Sequence, residues 1–441
     1  MRKLLYIFIF LFLSFNFDAV PPPPNGWYQQ FLPDLNGESI SDIYFVDSLI
    51  GFAVTGDGLS YDSNYILKTT NGGDNWTIKL AAYKDFFRVQ FINQLTGFVC
   101  GGYNAIGQGL MKTTDGGENW ITLNAPASIY FDDMSVLNED TIWLAQGSSL
   151  DGGVFRTTNG GVSWTHQLGG GAGTPDKIYM VNRNLGFASE GVITGTRFFR
   201  TTNSGLNWIT ISWNDGFLDM HFVNDSTGWK CNWNMMKTTD RGVNWIEQPL
   251  PPEGGIVISN RMVNFTIVNK DTLWGVGGSV FYGPGQFRGL LFKTTNGGNN
   301  WSYTVPDTSI HIGGYYHVQF INKNIGWAYL VTGGIHTTTG GMMGIQHVSS
   351  EIPVLFKLFQ NYPNLFNSQT TIEFGIKKKG NYNLVIYDCL GRKRDEVFNE
   401  YLKAGSYSVS FNGDELQSGV YFYRLSADGN VVDTRKMVLV K

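Results

Sequence analysis

The sequence predicts an all-β chain: a seven-bladed β-propeller whose N-terminal strand closes the last blade, followed by a small β-sandwich. Three observations predict it. A Thr-Thr-Asn/Asp-Gly-Gly-x-x-Trp phrase recurs through the middle of the chain. An alternating apolar segment ending in an aromatic residue, after glycine in five of the seven units, precedes each copy, and residues 353–441 carry short alternating strands without the phrase.

The phrase reads KTTNGGDNW at 68–76, KTTDGGENW at 112–120, RTTNGGVSW at 156–164, RTTNSGLNW at 200–208, KTTDRGVNW at 237–245 and KTTNGGNNW at 293–301. A seventh, decayed copy is HTTTGG at 336–341, with Thr339 in place of Asn/Asp and Gly344 where Trp belongs. The Asn or Asp (Asn71, Asp115, Asn159, Asn203, Asp240, Asn296) can accept backbone N–H groups, the Gly can take positive φ, and the Trp can pack on a sheet face. These residues are therefore predicted to be structural. The preceding segment, such as IYFVDSLIGF from Ile43 or VQFINKNIGW from Val318, has the period of two strands joined by a tight turn. Each unit of roughly 45 residues is thus four antiparallel strands, and seven units in tandem read as a seven-bladed ring.

Closure follows from the ends of the repeat. Gly26 to Pro33 resembles the tail of the fifth unit, Asn244 to Pro251, and the seventh unit lacks that Trp strand. The strand at Trp27 is therefore predicted to be the outer strand of blade seven, covering an edge that would otherwise be exposed. The Trp strands then number seven: Trp27, Trp76, Trp120, Trp164, Trp208, Trp245 and Trp301.

The pattern Thr-x-Asn/Asp-x-Gly-x-x-Trp resembles the Asp-box (BNR) repeat of sialidases, xyloglucan-cleaving glycosidases and photosystem II assembly-factor-like propellers. It looks most like the last group. The resemblance covers about residues 26–346 and implies the fold; the Asp-box is a structural turn in all these families, so it implies little about function.

At the N-terminus, Met1-Arg2-Lys3 and the apolar run Leu4 to Phe15 predict a signal peptide over residues 1–20. The run is too short for a spanning helix, and no Cys near residue 20 would carry a lipid. No later segment approaches 18 apolar residues, so no membrane span is expected in the mature chain. Residues 347–352 read as a linker.

Residues 353–441 read as a small Ig-like β-sandwich, with alternating strands separated by turn residues at regular intervals. Phe359-Gln360-Asn361-Tyr362-Pro363-Asn364, Tyr387-Asp388-Cys389-Leu390-Gly391-Arg392, Ser418 to Leu425 and Lys436 to Lys441 occur in the order found in the type A sorting domain of the type IX secretion system. Leu365 and Ser368 depart from the usual prolines of the opening phrase. The resemblance implies that the secretion machinery is a partner of residues 353–441. It also implies passage through the periplasm and across the outer membrane, with the product released or held at the cell surface.

Composition excludes several function classes. Lys plus Arg is 32 against Asp plus Glu at 36, a net charge of −4, and Lys377-Lys378-Lys379 is the longest basic run. A nucleic-acid partner is not expected. Cys100, Cys231 and Cys389 are far apart, and the six His residues are scattered, so neither a disulfide framework, a metal site nor a cofactor is expected. Gly169-Gly170-Gly171 lacks the Lys of a phosphate-binding loop, and no Ser-His-Asp spacing occurs.

Alternating strands place the Asp-box turns on one face and the variable loops on the other, where function concentrates. These loops carry Tyr61, Tyr65, Tyr83, Phe86, Phe87, Tyr103, Tyr130, Phe131, Trp213, Phe217, Tyr282, Phe287, Tyr315 and Tyr316. They either form a binding surface, with Tyr315, Tyr316 and Trp213 foremost, or pack loop against loop. Aligning the inner strands brings Asp42, Arg88, Asp133, Lys177, Asp219, Asn264 and His317 to one level, expected to ring the channel mouth. The ring either satisfies itself by ion pairing or binds a ligand; as a catalytic site it offers Asp133 with Asp219 or Asp42 as paired carboxylates. No sialidase-type FRIP opening or arginine triad is present, and a single ring does not match the two-propeller xyloglucan-cleaving enzymes. Three readings remain: an exported module binding a glycan or protein at the cell surface, a structural or assembly factor, and an Asp-box glycoside hydrolase.

Overall fold

The computed structural model describes residues 26–440, apart from 57–62, 103–108, 127–129, 148–151, 170–173, 191–195, 254–256, 307–309, 341–345, 350–352 and positions 282, 284, 285, 311, 332, 339, 354, 368, 414 and 415. The signal peptide expected over 1–20, and Tyr61, Tyr103, Tyr282 and Thr339, lie outside the described residues. Among the described residues there is no α-helix, and the strands form nine antiparallel sheets.

Seven of these sheets are the blades. The first runs outward in chain order through Ile40–Phe45, Gly51–Thr55, Asn64–Thr69 and Thr77–Ala82. Blades two to five repeat that order from inner strands Phe86–Phe91, Asp133–Val136, Lys177–Met180 and Asp219–Phe222. Blade six starts at Asn264–Ile267, and its middle strands are long, Leu273–Phe281 and Phe287–Thr294. An additional strand, Val257–Ser259, pairs with the first of these.

Blade seven is closed from the other end of the chain. Its strands His317–Phe320, Gly326–Leu330 and Gly333–Thr337 are completed by Tyr28–Phe31, in register from Tyr28 opposite His336 to Phe31 opposite Gly333. Trp27 meets Phe320 of its own blade and Trp274 of the preceding blade edge-on, both at 6.0 Å. Trp245 meets Phe222 and Phe187 in the same way, at 6.1 and 6.0 Å. The predicted seventh Trp strand is therefore present in both position and packing.

The aromatic residues of the second strands hold the blades face to face. Phe52 stacks on Phe91 at 3.9 Å, Phe187 on Phe222 at 5.5 Å and Trp274 on Phe320 at 4.6 Å. Trp327 of blade seven stacks on Phe45 of blade one at 3.7 Å, so the same contact closes the ring. Burying such rings is the main source of stability in a fold whose blades share no backbone ladder.

The repeated phrase is a turn. In the first copy the Thr69 hydroxyl donates to Asn71 Oδ1 (2.9 Å) and accepts from Gly73 N–H (2.9 Å), while Asn71 Oδ1 accepts from Asn75 N–H (2.9 Å). The same set recurs around Asp115, Asn159, Asn203, Asp240 and Asn296. In the decayed copy Gly340 N–H still donates to Asn324 O (2.7 Å), as Gly72 N–H does to Leu49 O (2.8 Å). Gly73 has φ +95°, and a Cβ there would stand 2.5 Å from Gln30 Oε1, so the closing strand requires glycine at this point.

The remaining two sheets form the sandwich. One orders Gln346–Ser349, Gly405–Asn412, Gln369–Ile376 and Lys357–Leu358; the other orders Lys393–Leu402, Gly380–Asp388, Gly419–Ala427 and Asn430–Leu439. The stretch expected as linker, 347–352, thus begins inside a strand, since Gln346–Ser349 pairs with Gly405–Asn412. Ile372, Phe374, Leu384, Ile386, Tyr423 and Met437 belong to a core drawn from both sheets of this module alone. The sequence phrases of the tail are clamps within it. Tyr423 Oη accepts from Asn361 N–H (2.8 Å) and donates to Phe359 O (2.7 Å). Asp388 accepts from Leu390 N–H (2.9 Å), Arg392 N–H (3.0 Å) and Arg392 Nε (2.7 Å).

Candidate functional site

The inner strands surround a cavity of about 450 Å³. Asp42, Arg88, Asp133, Asp219, Asn264 and His317 line it, at the level that the alignment of the repeats predicts. Lys177 lies one level up, in a vestibule of about 320 Å³ shared with Phe87, Asp132, Asp176 and Tyr316. This vestibule opens on the variable-loop face, because its residues lie at or just before the starts of the inner strands.

Four of the ring residues are tied to the next blade. Val89 N–H donates to Asp42 Oδ2 (3.0 Å), Ile178 N–H to Asp133 Oδ2 (3.0 Å), Phe265 N–H to Asp219 Oδ2 (3.0 Å) and Val318 N–H to Asn264 Oδ1 (2.7 Å). An inner strand has an unpaired edge facing the channel, and these acceptors satisfy N–H groups there. The remaining oxygens are engaged as well. Asp133 Oδ1 accepts from Arg88 Nε (2.8 Å) and Met134 N–H (3.0 Å). Asp219 Oδ1 accepts from Met220 N–H (3.0 Å), and its Oδ2 also from Asn264 Nδ2 (2.8 Å) and His221 Nε2 (3.2 Å). Asp42 Oδ1 lies between Arg88 (3.6 Å) and His317 (3.7 Å).

These surroundings separate the acids. Burial pushes Asp42 up to about 6 against the pull of Arg88 and the Val89 N–H. Burial acts on Asp219 too, but the His221 imidazole, the Phe265 N–H and Arg88 outweigh it and hold the carboxyl at about 2. Burial and then Arg88 disfavour the His317 cation and bring it down to about 3. Burial works against charge on Arg88 and His221, yet Asp133 with Asp42, and Asp219, respectively outweigh it and raise both. Arg88 is thus a fixed cation among three carboxylates, and His317 is neutral beside Asp42.

A second tier, two residues along each strand, escaped the sequence reading although period-2 alternation marks it. Gln90 exchanges two bonds with Val136, at 3.1 Å each, and Gln319 does the same with Phe45, at 2.6 and 2.8 Å. Ser135 and Tyr179 accept from Met180 and Phe222 N–H groups at 3.0 and 3.2 Å. Among the described residues no three His, Cys, Asp or Glu side chains group as metal ligands do.

The loop aromatics divide. Tyr65, Phe86, Phe131 and Phe217 are buried. Tyr315, expected at a binding surface, is a correction: it is 1% exposed and packs beneath Gly289, where a Cβ would stand 2.4 Å from its ring. Its neighbour Tyr316 is 55% exposed at the vestibule rim, and Tyr83, Trp213 and Phe287 are exposed as well.

Residues 360–441 match the family described as secretion system C-terminal sorting domain. The tail is a sorting domain. It marks the chain for the type IX machinery and for secretion across the outer membrane to the cell surface or the extracellular space. For the propeller, two solved structures of YCF48 are similar. One, bound to D1 peptide, has a TM-score of 0.53 and 18% identity over 71% of this chain and 97% of that one. The other, from Cyanidioschyzon merolae, has a TM-score of 0.51 and 16% identity over 71% and 98%. A GH74 xyloglucanase from Xanthomonas campestris gives a TM-score of 0.47 and 12% identity over 93% and 66%. The YCF48 likenesses show the fold. No curated protein matches the chain.

Proposed function

We propose that this chain is an exported binding module that recognises a glycan or protein at the cell surface through its variable-loop face, with the sorting domain as its export address. The observation that carries this reading is the commitment of Asp42, Asp133 and Asp219 to the N–H groups of neighbouring blades. A glycosidase needs one carboxyl free to donate a proton and a second free to attack or to activate water. Asp219 at about 2 is ionised at working pH and surrounded by donors, which suits a structural anchor and not a general acid; Asp42, raised to about 6, lacks a free partner because both oxygens of Asp133 already accept hydrogen bonds. Recognition is then left to the vestibule and the exposed aromatics around it.

The test is a thermal-shift screen of the purified chain against polysaccharides, glycoproteins and cell-wall fractions, with mass spectrometry for released sugar. Stabilisation without sugar release is expected. Sugar release that is lost in Asp133→Asn and Asp219→Asn would overturn the reading in favour of a hydrolase. A second reading, an assembly factor that holds a peptide, is favoured by the D1 peptide bound to the YCF48 neighbour. It would show as stabilisation by peptides alone.

A further inference from the structure

The chain has thirteen tryptophans, all among the described residues. The repeat accounts for seven in the Asp-box position and for Trp143, Trp229, Trp274 and Trp327 at the recurring aromatic position of the second strand, after Gly228 and Gly326 in two blades and after Ile142 and Leu273 in the others. Trp213 and Trp233 have no place in the repeat, and they are the two exposed ones, at 65% and 45%. Both stand on the variable-loop face of neighbouring blades. Trp213 ends the outer strand Ile209–Trp213 of blade four, and Trp233 is the tip of the hairpin joining Gly228–Asn232 to Asn234–Thr238 in blade five. The loop between the two blades connects them: Leu218 N–H donates to Cys231 O (2.8 Å), and Asp215 pairs with Lys230.

Each indole is backed by a guanidinium, Arg197 at 5.7 Å from the Trp213 ring and Arg261 at 4.5 Å from the Trp233 ring. Arg197 is itself locked by two bonds to Glu190, 2.8 and 2.7 Å. Trp233 has φ +65°, a conformation bulky residues avoid. It is held there by reciprocal bonds with Met262, 3.1 and 2.7 Å. A large aromatic kept exposed in an unfavourable backbone conformation points to a recognition role.

We infer that Trp213 and Trp233 form a stacking platform for a polysaccharide of neutral hexopyranose units. This rests on the variable-loop face being the binding face. A pyranose presents a C–H surface that covers an indole, and hydroxyl groups that both donate and accept. Both Glu190 oxygens are taken up by Arg197 and the Thr174 N–H, so the Arg197 guanidinium stands beside the indole with its charge compensated, which matches a hydroxyl-bearing neutral ligand better than an ionised group. Because the pair is already ordered, little side-chain entropy is lost on binding. A protein would use the same residue types as anchors, but it needs roughly 800 Å² of surface per partner, whereas the chain beside Trp213 is the polar Asn214-Asp215-Gly216 turn.

Affinity electrophoresis of the full chain through gels holding a β-glucan, a mannan or polygalacturonate tests this, with Trp213→Ala, Trp233→Ala and Trp213→Phe alongside. Expected are retardation by a neutral polysaccharide, affinity reduced roughly tenfold in each Ala variant and retention in Trp213→Phe. Unchanged melting temperatures show that the variants fold. Equal retardation of wild type and both Ala variants would overturn the platform while leaving the binding face in place. Retardation by polygalacturonate alone would overturn the neutral class. No retardation of wild type in any gel would overturn the glycan assignment, and stabilisation by a protein fraction in the thermal-shift screen would then keep the broader reading.

Discussion

Trp27→Ala is expected to unfasten the propeller, although the residue sits at the start of the described chain. Trp27 is 1% exposed and lies edge-on to Trp274 and Phe320 at 6.0 Å, so its loss leaves a cavity between blades six and seven. Truncating a buried Trp costs roughly 3–5 kcal/mol, within which each edge-to-face pair supplies about 0.5–1.5 kcal/mol. The closing strand adds polar contacts three residues on. Gln30 Nε2 donates to Gly72 O (2.8 Å), and Gln30 Oε1 accepts from Tyr329 Oη (2.7 Å). Urea unfolding followed by tryptophan fluorescence isolates the effect, because residues 353–441 contain no Trp and the signal belongs to the propeller. Trp301→Ala, at the same repeat position in blade six and 8% exposed, is the comparison for a strand held within its own unit. Deleting residues 26–33 is expected to do more than either substitution, since it also bares the edge of Gly333–Thr337 and invites pairing with another chain. A loss below about 1 kcal/mol for Trp27→Ala, relative to the 3–5 kcal/mol above, would refute the closure argument.

The buried His317 and Asp42 give opposed pH dependences. His317 titrates near 3 in the folded chain against 6.5 ordinarily, so stability falls as pH drops through that window. Asp42 titrates near 6 against 3.8, so its contribution is fully present below about 4 and is lost as pH rises through 6. His317→Asn removes the first effect and leaves the second, so its melting temperature is expected to gain on wild type as pH falls from 6.5 to 4; parallel profiles would contradict the burial of a neutral imidazole. A chain ending before residue 353 is expected to accumulate in the periplasm, measured by cell fractionation; normal secretion would show that another segment carries the address.

The blade count and the closing strand were legible because they are periodic. The Trp spacing marks outer strands, and the resemblance of 26–33 to 244–251 supplies the one missing from blade seven. The channel ring was legible for the same reason, since Asp42 and its equivalents share an alignment column. What that column does was not. Whether Asp133 is free for chemistry or bound to Ile178 N–H depends on the distance between two strands 45 residues apart, which no single repeat encodes. Tyr315 and Tyr316 show the limit at one residue: the two neighbours stand just before the strand His317–Phe320, and Tyr315 is covered because it packs beneath Gly289 of another strand while Tyr316 stays exposed.

In a repeat fold, departures from the period tell more about function than the period does. Each position that recurs is explained by something that recurs in the architecture: Thr69 and Asn71 by a turn, Phe52 by its neighbour blade, Asp42 by an unpaired N–H group. A residue that satisfies the architecture in every blade cannot also be shaped for one ligand without weakening the ring. The residues free to be selected by a ligand are those the repeat does not call for, and they gather where blades differ. Trp213 and Trp233, Tyr316, and the lengthened hairpin of blade six with Phe281 and Phe287 at its tip all stand on the variable-loop face. The work is thus divided, Asp-box turns on one face and the carboxylates within the channel holding the blades together so that loops unlike one another can be displayed on the variable-loop face.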